Sequence, residues 1–268
     1  MSEASVVKKS PHPFPKPMLV EHLQALGVQA GMTLLVHASL SKIGFVPGGP
    51  VTVIQALQAA LTETGTLVMP AHSSGNSDPA QWQSPPVPAE WHQIIRDETP
   101  AFDPQRTPTR MMGAIAELFC TWPDVQRSNH PQHSFAAWGK HAEIITADHQ
   151  LPFGLGEKSP LARLYDLHGY VLLLGVGHGN STSFHLSEIR AKRTKVIQNG
   201  SSVWQSGRSV WQWFDDLDYD EDCFPQIGVD FEKTHPVKIG QVGLAECRLF
   251  SQRTAVDFAT NWLKECAK

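Results

Sequence analysis

Residues 170–191 read YVLLLGVGHGNSTSFHLSEIRA, and this stretch decides the fold class. Tyr170 to Leu174 is a short apolar run without a polar break, as a strand buried on both faces of a parallel sheet requires. The run empties at Gly175 into a Gly/Ser/Thr turn, and a helix is expected from about Thr182 to Arg193. Strand, glycine turn and helix in that order make the half-unit of an α/β sheet, which places its ligands at the carboxyl ends of its strands. His185 falls in the first turn of that helix, with Glu188 three residues on along the same face. The partial positive charge of a helix start disfavours a second positive charge, and a general base has to be neutral to accept a proton. His185 is therefore a candidate base, against the commoner reading of a helix-start histidine as a buried or solvated polar group, and with Glu188 it could also hold a metal. The glycines Gly175, Gly177 and Gly179 do not complete a dinucleotide fingerprint, because Asn180 stands where the third glycine is needed.

The same pattern occurs upstream. TLLVHAS, residues 33–39, reads as a buried strand, and HASLSKIGFVPGGP, residues 37–50, leads from it to a helix that opens at Pro50 and ends at Gly65. Glycines let a ligand approach the main chain, and the free N–H groups of a helix start favour an anion, so a phosphate or pyrophosphate suits this loop. It lacks GxxxxGK[ST], which argues against a Walker-type site. TLVMP, residues 66–70, is the next strand. Residues 71–108 predict a long ordered loop with little regular structure, of the kind that carries function. Helices are expected over Met18–Leu26, Thr109–Cys120, Ser159–His168 and Thr254–Cys266, and a strand over Ser134–Trp138. Strands or hairpins are expected from Lys195 to Phe250. Pro11, Pro13, Pro15 and Pro17 favour an extended arm. The organisation expected is a Pro-rich arm, 1–17, before a single α/β domain, 18–268, with a central mixed sheet.

Composition narrows the function classes. Of 268 residues, 41% are hydrophobic and only 18% charged, which suits a folded globular chain, and a net charge of −4 offers no general attraction to nucleic acid or an anionic membrane. No apolar stretch of signal-peptide or membrane-spanning length occurs, so a cytoplasmic location is the default expectation. Cys120, Cys223, Cys247 and Cys266 are too far apart for a zinc ribbon or disulfide framework and read as reduced. Thirteen histidines, among them His37, His72, His130, His133 and His185, raise a metal hypothesis, yet none falls in HExxH, and no metal is assigned. There is no GxSxG nucleophile elbow. The acidic run Asp215, Asp216, Asp218, Asp220, Glu221, Asp222, flanked by Trp211, Trp213 and Tyr219, either steers a small polycation or is a solvated loop.

HASLSKIGFVPGG, MPAHSSGNSDPAQWQSPPVP, TPTRMMGAIAELF, RSNHPQHSFAAWG, SPLARLY, LLLGVGHGNSTSFHLSEIRA and DDLDYDED follow one another as in the aminoglycoside 3-N-acetyltransferase family, which the chain resembles from about Thr33 to Phe250. The resemblance implies a single three-layer α/β domain around a mixed sheet, unlike the common acetyltransferase fold. The implied reaction is transfer of acetyl from acetyl-CoA to the 3-amino group of an aminoglycoside or a related amine. By similarity, Ser39, Leu40, Ser41, Gly44, Phe45, Val46, Gly48 and Gly49 would hold the pantetheine and pyrophosphate of coenzyme A. His185 would be the base, its ring oriented by Glu188 or by a carboxylate brought from elsewhere in the fold, with His37 lining the same cleft and hydroxyls or main-chain N–H groups near Thr182 and His72 meeting the thioester oxygen. His72, Asp78 and Asp216 would face the amine. Many relatives carry Pro-Thr-Phe where this chain has Pro70, Ala71 and His72, and Asn-Thr where it has Ser181 and Thr182; the first change falls in the acceptor and thioester region. A metal-dependent hydrolase using the histidines and a non-catalytic coenzyme A binding protein are the alternatives. The partner expected is a small-molecule amine, with a homodimer left open.

Overall fold

The computed structural model describes residues 2–192 and 195–265. A short helix, α1 (Glu3–Lys9), precedes α2 (Lys16–Leu26) and the first strand, β1 (Thr33–Ala38). Then follow α3 (Leu40–Ile43), α4 (Pro50–Leu61), β2 (Thr66–Pro70), α5 (His92–Glu98), α6 (Gly113–Cys120), β3 (Gln126–Arg127), β4 (Phe135–Gly139), α7 (Ala142–Thr146) and α8 (Pro160–Asp166). The remainder is β5 (Tyr170–Leu174), α9 (Ser183–Ala191), β6 (Val196–Gln205), β7 (Arg208–Leu217), α10 (Phe224–Thr234), β8 (Lys238–Val242), β9 (Ala245–Ser251) and α11 (Gln252–Glu265).

Seven strands form one sheet in the order β3-β4-β2-β1-β5-β9-β8. The middle three, β2, β1 and β5, run parallel, and antiparallel strands flank them on each side, so the sheet is mixed as expected. Successive side chains of a strand point to opposite faces, and here they feed two separate cores. Leu34, Val36, Leu172 and Leu174 join α2, α4 and α6 on one face. Leu35, Val171, Leu173 and Phe250 join the helices α7 to α11 on the other. These are the three layers. The central strands are apolar at nearly every position because both of their faces are covered.

Several expected boundaries shift for local reasons. The helix expected from Thr109 begins at Gly113, because Met111 holds a left-handed backbone, φ 61°, that no right-handed helix contains. The loop 71–108 is not without regular structure: it carries 3-10 turns at Pro79–Gln81 and Ala89–Trp91 and the helix α5. The segment 195–250 is not all strand. Phe224, Ile227 and Phe231 recur at helical spacing behind Pro225 in a first turn, and they bury one face of α10. The first residues are likewise not a fully extended arm, since α1 is helical and Phe14, 3% exposed, is buried. The helix ends expected at Arg193 and Cys266 lie outside the described residues. Cys120 and Cys247 are free thiols. Strands β6 and β7 form a separate hairpin, closed by Ser206 and Gly207 with positive φ at both, the geometry that matches the strand twist.

Candidate active site

The site follows from the register of the central strands. His37 pairs with Leu173 and Ala38 with Leu174, so β1 and β5 end side by side, and Ser39 N–H closes the junction by donating to Leu174 O at 2.9 Å. The loop 39–49 and the turn 175–182 therefore leave the sheet at one edge. Thr182 and His37 meet across the gap, Oγ1 to Nε2, at 3.4 Å. From this junction a cavity of about 810 Å³ opens along the first loop. All eight loop residues expected to hold a cofactor line it, with His37 and Thr182 at one end.

The walls of this cavity are mostly main chain and apolar side chains. Among the described residues lining it there is no Lys or Arg, and Glu3 is its one carboxylate. Positive potential comes instead from helix starts. Gly49 and Pro50 open α4, and Gly113 and Ala114 open α6; both ends face the cavity and neither has a side-chain cap. Uncapped first turns leave N–H donors without intrahelical partners, and the helix dipoles add partial positive charge. Gly49 sits at φ 55°, and a Cβ built there would meet no atom within 4 Å, so the space in front of it is open to a ligand. The contribution of Glu3, Val6 and the Met111–Ala114 turn was not legible in the sequence. No motif marks them, and they reach the cavity only through folding.

His185 stands one helical turn beyond Thr182. Its Nδ1–H donates to Glu188 Oε2 at 2.6 Å, and the other oxygen of Glu188 accepts from Asp220 N–H at 3.0 Å. A ring that gives its Nδ1 proton to a carboxylate presents Nε2 as a bare acceptor. Tyr219 and Phe224 fix the ring plane by edge contacts, with centroids 4.9 Å and 4.8 Å away. Burial, and secondarily the nearby His185, hold His37 down to about 3, so it is a neutral hydrogen-bonding group in the cleft. The same burial, with His133 and His185 adding to it, keeps His72 well below the ordinary histidine range.

The remaining expected residues occupy different settings. Asp216 is fully buried in β7, where its Oδ1 accepts from Leu217 N–H at 2.9 Å and its Oδ2 lies 3.4 Å from His133 Nε2. The Tyr219 hydroxyl lies beside it, which links Asp216 to the His185 ring. Asp78 is not brought to the cavity: its Oδ1 accepts from Arg96 at 2.7 Å and 3.0 Å, so its charge is already paired. His130 and His149 are committed to loop structure. His149 donates from Nε2 to Gly154 O and accepts at Nδ1 from Ser128 Oγ, while His130 donates to Leu151 O and accepts from the N–H groups of Gln132 and His133. Neither ring has a nitrogen to spare for a metal, and among the described residues no group of three or more His, Cys, Asp or Glu is placed to hold one. No helix is long and apolar enough to cross a membrane.

Comparison with known proteins places this geometry. The family model described as aminoglycoside 3-N-acetyltransferase matches residues 35–264. The SPbeta prophage-derived aminoglycoside N(3')-acetyltransferase-like protein YokD of Bacillus subtilis is 50% identical over 258 residues, covering 96% of this chain and 95% of that protein. Its crystal structure superposes with a TM-score of 0.97 over 99% of both chains. AAC-IIIb, solved as a binary complex with CoASH, superposes with a TM-score of 0.86 at 30% identity, over 95% of this chain and 98% of that one. AAC-VIa bound to sisomicin gives 0.86 at 30% identity, over 95% and 99%. A chain with this sheet, this cavity and relatives at this identity belongs to the aminoglycoside 3-N-acetyltransferase family.

Proposed function

We propose that residues 18–268 catalyse direct transfer of an acetyl group from acetyl-CoA to an amine, the 3-amino group of an aminoglycoside or a related compound, with His185 as general base. The observation that carries this reading is the His185–Glu188 pair, one helical turn from a backbone-lined cavity. The cavity suits coenzyme A in chemistry as well as size. Uncapped starts of α4 and α6 favour a diphosphate, and Leu40, Phe45 and Val46 offer apolar surface for the pantetheine arm. When bound, acetyl-CoA supplies the acetyl group in activated thioester form.

The residues of this chain do the rest. An alkylammonium has no lone pair, so the acceptor has to lose a proton as its nitrogen approaches the acetyl carbon. His185 Nε2 takes that proton, and Glu188 holds the ring and stabilises the imidazolium, as the acid does in hydrolase triads. The N–C bond forms, the nitrogen gives up its second proton through His185, which has passed the first to solvent, the C–S bond breaks, and the thiolate leaves as the thiol with that second proton. The Thr182 hydroxyl and main chain meet charge developing on the thioester oxygen. His37 keeps Thr182 in position without adding a charge. His72 and Asp216 serve the acceptor side, and Asp78 acts there only through the loop that Arg96 fixes.

The test is thiol release from acetyl-CoA against a panel of aminoglycosides and small amino compounds, with the product mapped by mass spectrometry and NMR. Turnover with acetylation at a 3-amino group is expected. Tight binding of coenzyme A with no thiol release for any amine would replace this reading with a binding protein.

A further inference from the structure

The segment before α2 has no part in the chemistry above, yet it forms part of the donor cavity. Helix α1 has a locally complete design: Ser2 caps it, Glu3 lies in its first turn, and Lys8 and Lys9 lie in its last. It nevertheless buries no residue. A seven-residue helix with no buried face is marginal in water, because helix nucleation is costly and tertiary packing normally repays it. Its root is fixed more firmly than its body. Phe45 N–H donates to Ser10 Oγ at 2.7 Å, and Phe14 N–H donates to Phe45 O at 2.8 Å. Gly44, at φ 94°, leaves no room for a side chain: a Cβ there would lie 2.8 Å from the Phe14 ring. The strap is thus clipped to the donor loop itself, while α1 leans on α3 and turns Glu3 and Val6, three residues apart on one face, toward the cavity.

We propose that α1 is the outer wall of the pantetheine site, ordered against the ligand by contacts of Val6 and Glu3 with that arm. The inference rests on the donor reading above. The position along the ligand follows from charge. A carboxylate beside the diphosphate would repel it, whereas the pantetheine arm carries amide N–H and hydroxyl donors that a carboxylate accepts. The loop segment that α1 abuts, Leu40 to Phe45, lies between the His37–Thr182 end and the α4 start at Gly49. A ligand that covers Val6 supplies the apolar contact that the free helix lacks, so binding and ordering of α1 reinforce each other.

The experiment measures dissociation constants of coenzyme A and of 3′-phosphoadenosine 5′-diphosphate, for wild type and for a variant lacking residues 2–9 that keeps the Ser10–Phe14 clip. The deletion is expected to weaken coenzyme A about tenfold and leave the adenosine nucleotide within twofold. Val6→Asp, which keeps the helix in place, should reproduce most of the loss. In wild type, coenzyme A should slow tryptic cleavage after Lys8 and Lys9 at least fivefold, while the nucleotide should not; this readout needs no variant to fold. Unchanged coenzyme A affinity together with no protection overturns the inference, as does equal loss of nucleotide affinity, which would put α1 on the other half of the ligand. Failure of wild type to bind coenzyme A at all would instead overturn the donor reading, and the inference with it.

Discussion

The two sides of the cleft are built in opposite ways. The donor side is main chain: glycines, two uncapped helix starts and a few apolar side chains, with no Lys or Arg lining it among the described residues. The side proposed to meet the acceptor is side chain: His185 with Glu188, His72 near His133, and a buried carboxylate at Asp216 beside Tyr219. Backbone donors are fixed by the fold and do not titrate, so the donor side should be indifferent to pH and sensitive to added bulk. Imidazoles are fixed by neighbours and act by accepting or donating a proton, so the acceptor side should be tolerant of bulk at its rim and sensitive to proton chemistry.

The largest effect should come from the base. His185→Gln removes the proton acceptor and is expected to lower kcat by about 10²–10⁴-fold while leaving the coenzyme A dissociation constant within twofold. Glu188→Gln keeps the ring nearly in place but removes the charge that steadies the imidazolium, and should cost roughly 10²-fold with the same spared binding. Steady-state kinetics beside calorimetric titration separate the two quantities. A His185→Gln enzyme within a few-fold of wild type would assign the proton transfer elsewhere.

On the donor side, Gly49→Val places a branched side chain where a Cβ now meets nothing and forces it into a φ of 55°. Coenzyme A affinity should fall at least about tenfold, with kcat at saturation largely kept. An unchanged dissociation constant would mean that the diphosphate is not held at the start of α4.

These contrasts also explain what was legible in the sequence. The loop lining the cavity could be read because glycine and proline at 44, 48, 49 and 50 dictate a local backbone. The three-layer sheet was legible for a similar reason: strands such as Thr66–Pro70 and Tyr170–Leu174 are apolar throughout, as burial on both faces demands. His185 and Glu188 were legible together because helical spacing alone puts them side by side. The acceptor cluster was not, since residues 72, 133, 185 and 216 are brought together only by the packing of a loop, a strand end and the β6–β7 hairpin. The pairing of Asp78 was hidden for the same reason: its partner, Arg96, lies eighteen residues away on a helix that the loop composition concealed. Helix α10 escaped because polar residues between Phe224, Ile227 and Phe231 resemble alternation over short windows.

The buried imidazoles make a prediction about stability. Burial holds His37 and His149 down to about 3, against an ordinary value of 6.5. Between those values the unfolded chain binds protons that the folded chain does not. Stability is therefore fully present above pH 6.5 and falls as pH is lowered through the window, each such ring contributing a slope of about 1.4 kcal/mol per pH unit. Denaturant titrations at pH 7 and pH 5 should show the loss, and His149→Gln should flatten it while lowering stability at pH 7 through the lost bond to Gly154. Equal slopes in wild type and variant would show that the ring is charged in the folded state.

The smallest effect tests the acidic run at the rim. Asp218 and Asp222 are exposed, and the loop that carries them passes close to His185, because Asp220 N–H is bonded to Glu188. Exposed carboxylates near a cleft raise the local concentration of a cation without gripping it, and salt screens them over about 10 Å. The double change Asp218→Asn with Asp222→Asn should therefore raise KM for a polycationic acceptor by roughly two- to threefold at low salt and by nothing measurable at high salt, with kcat and the coenzyme A dissociation constant unmoved. A salt-independent rise in KM would mean that these side chains touch the acceptor directly. The acceptor side would then extend to the rim, and the division between a gripping interior and a steering edge would fail there first.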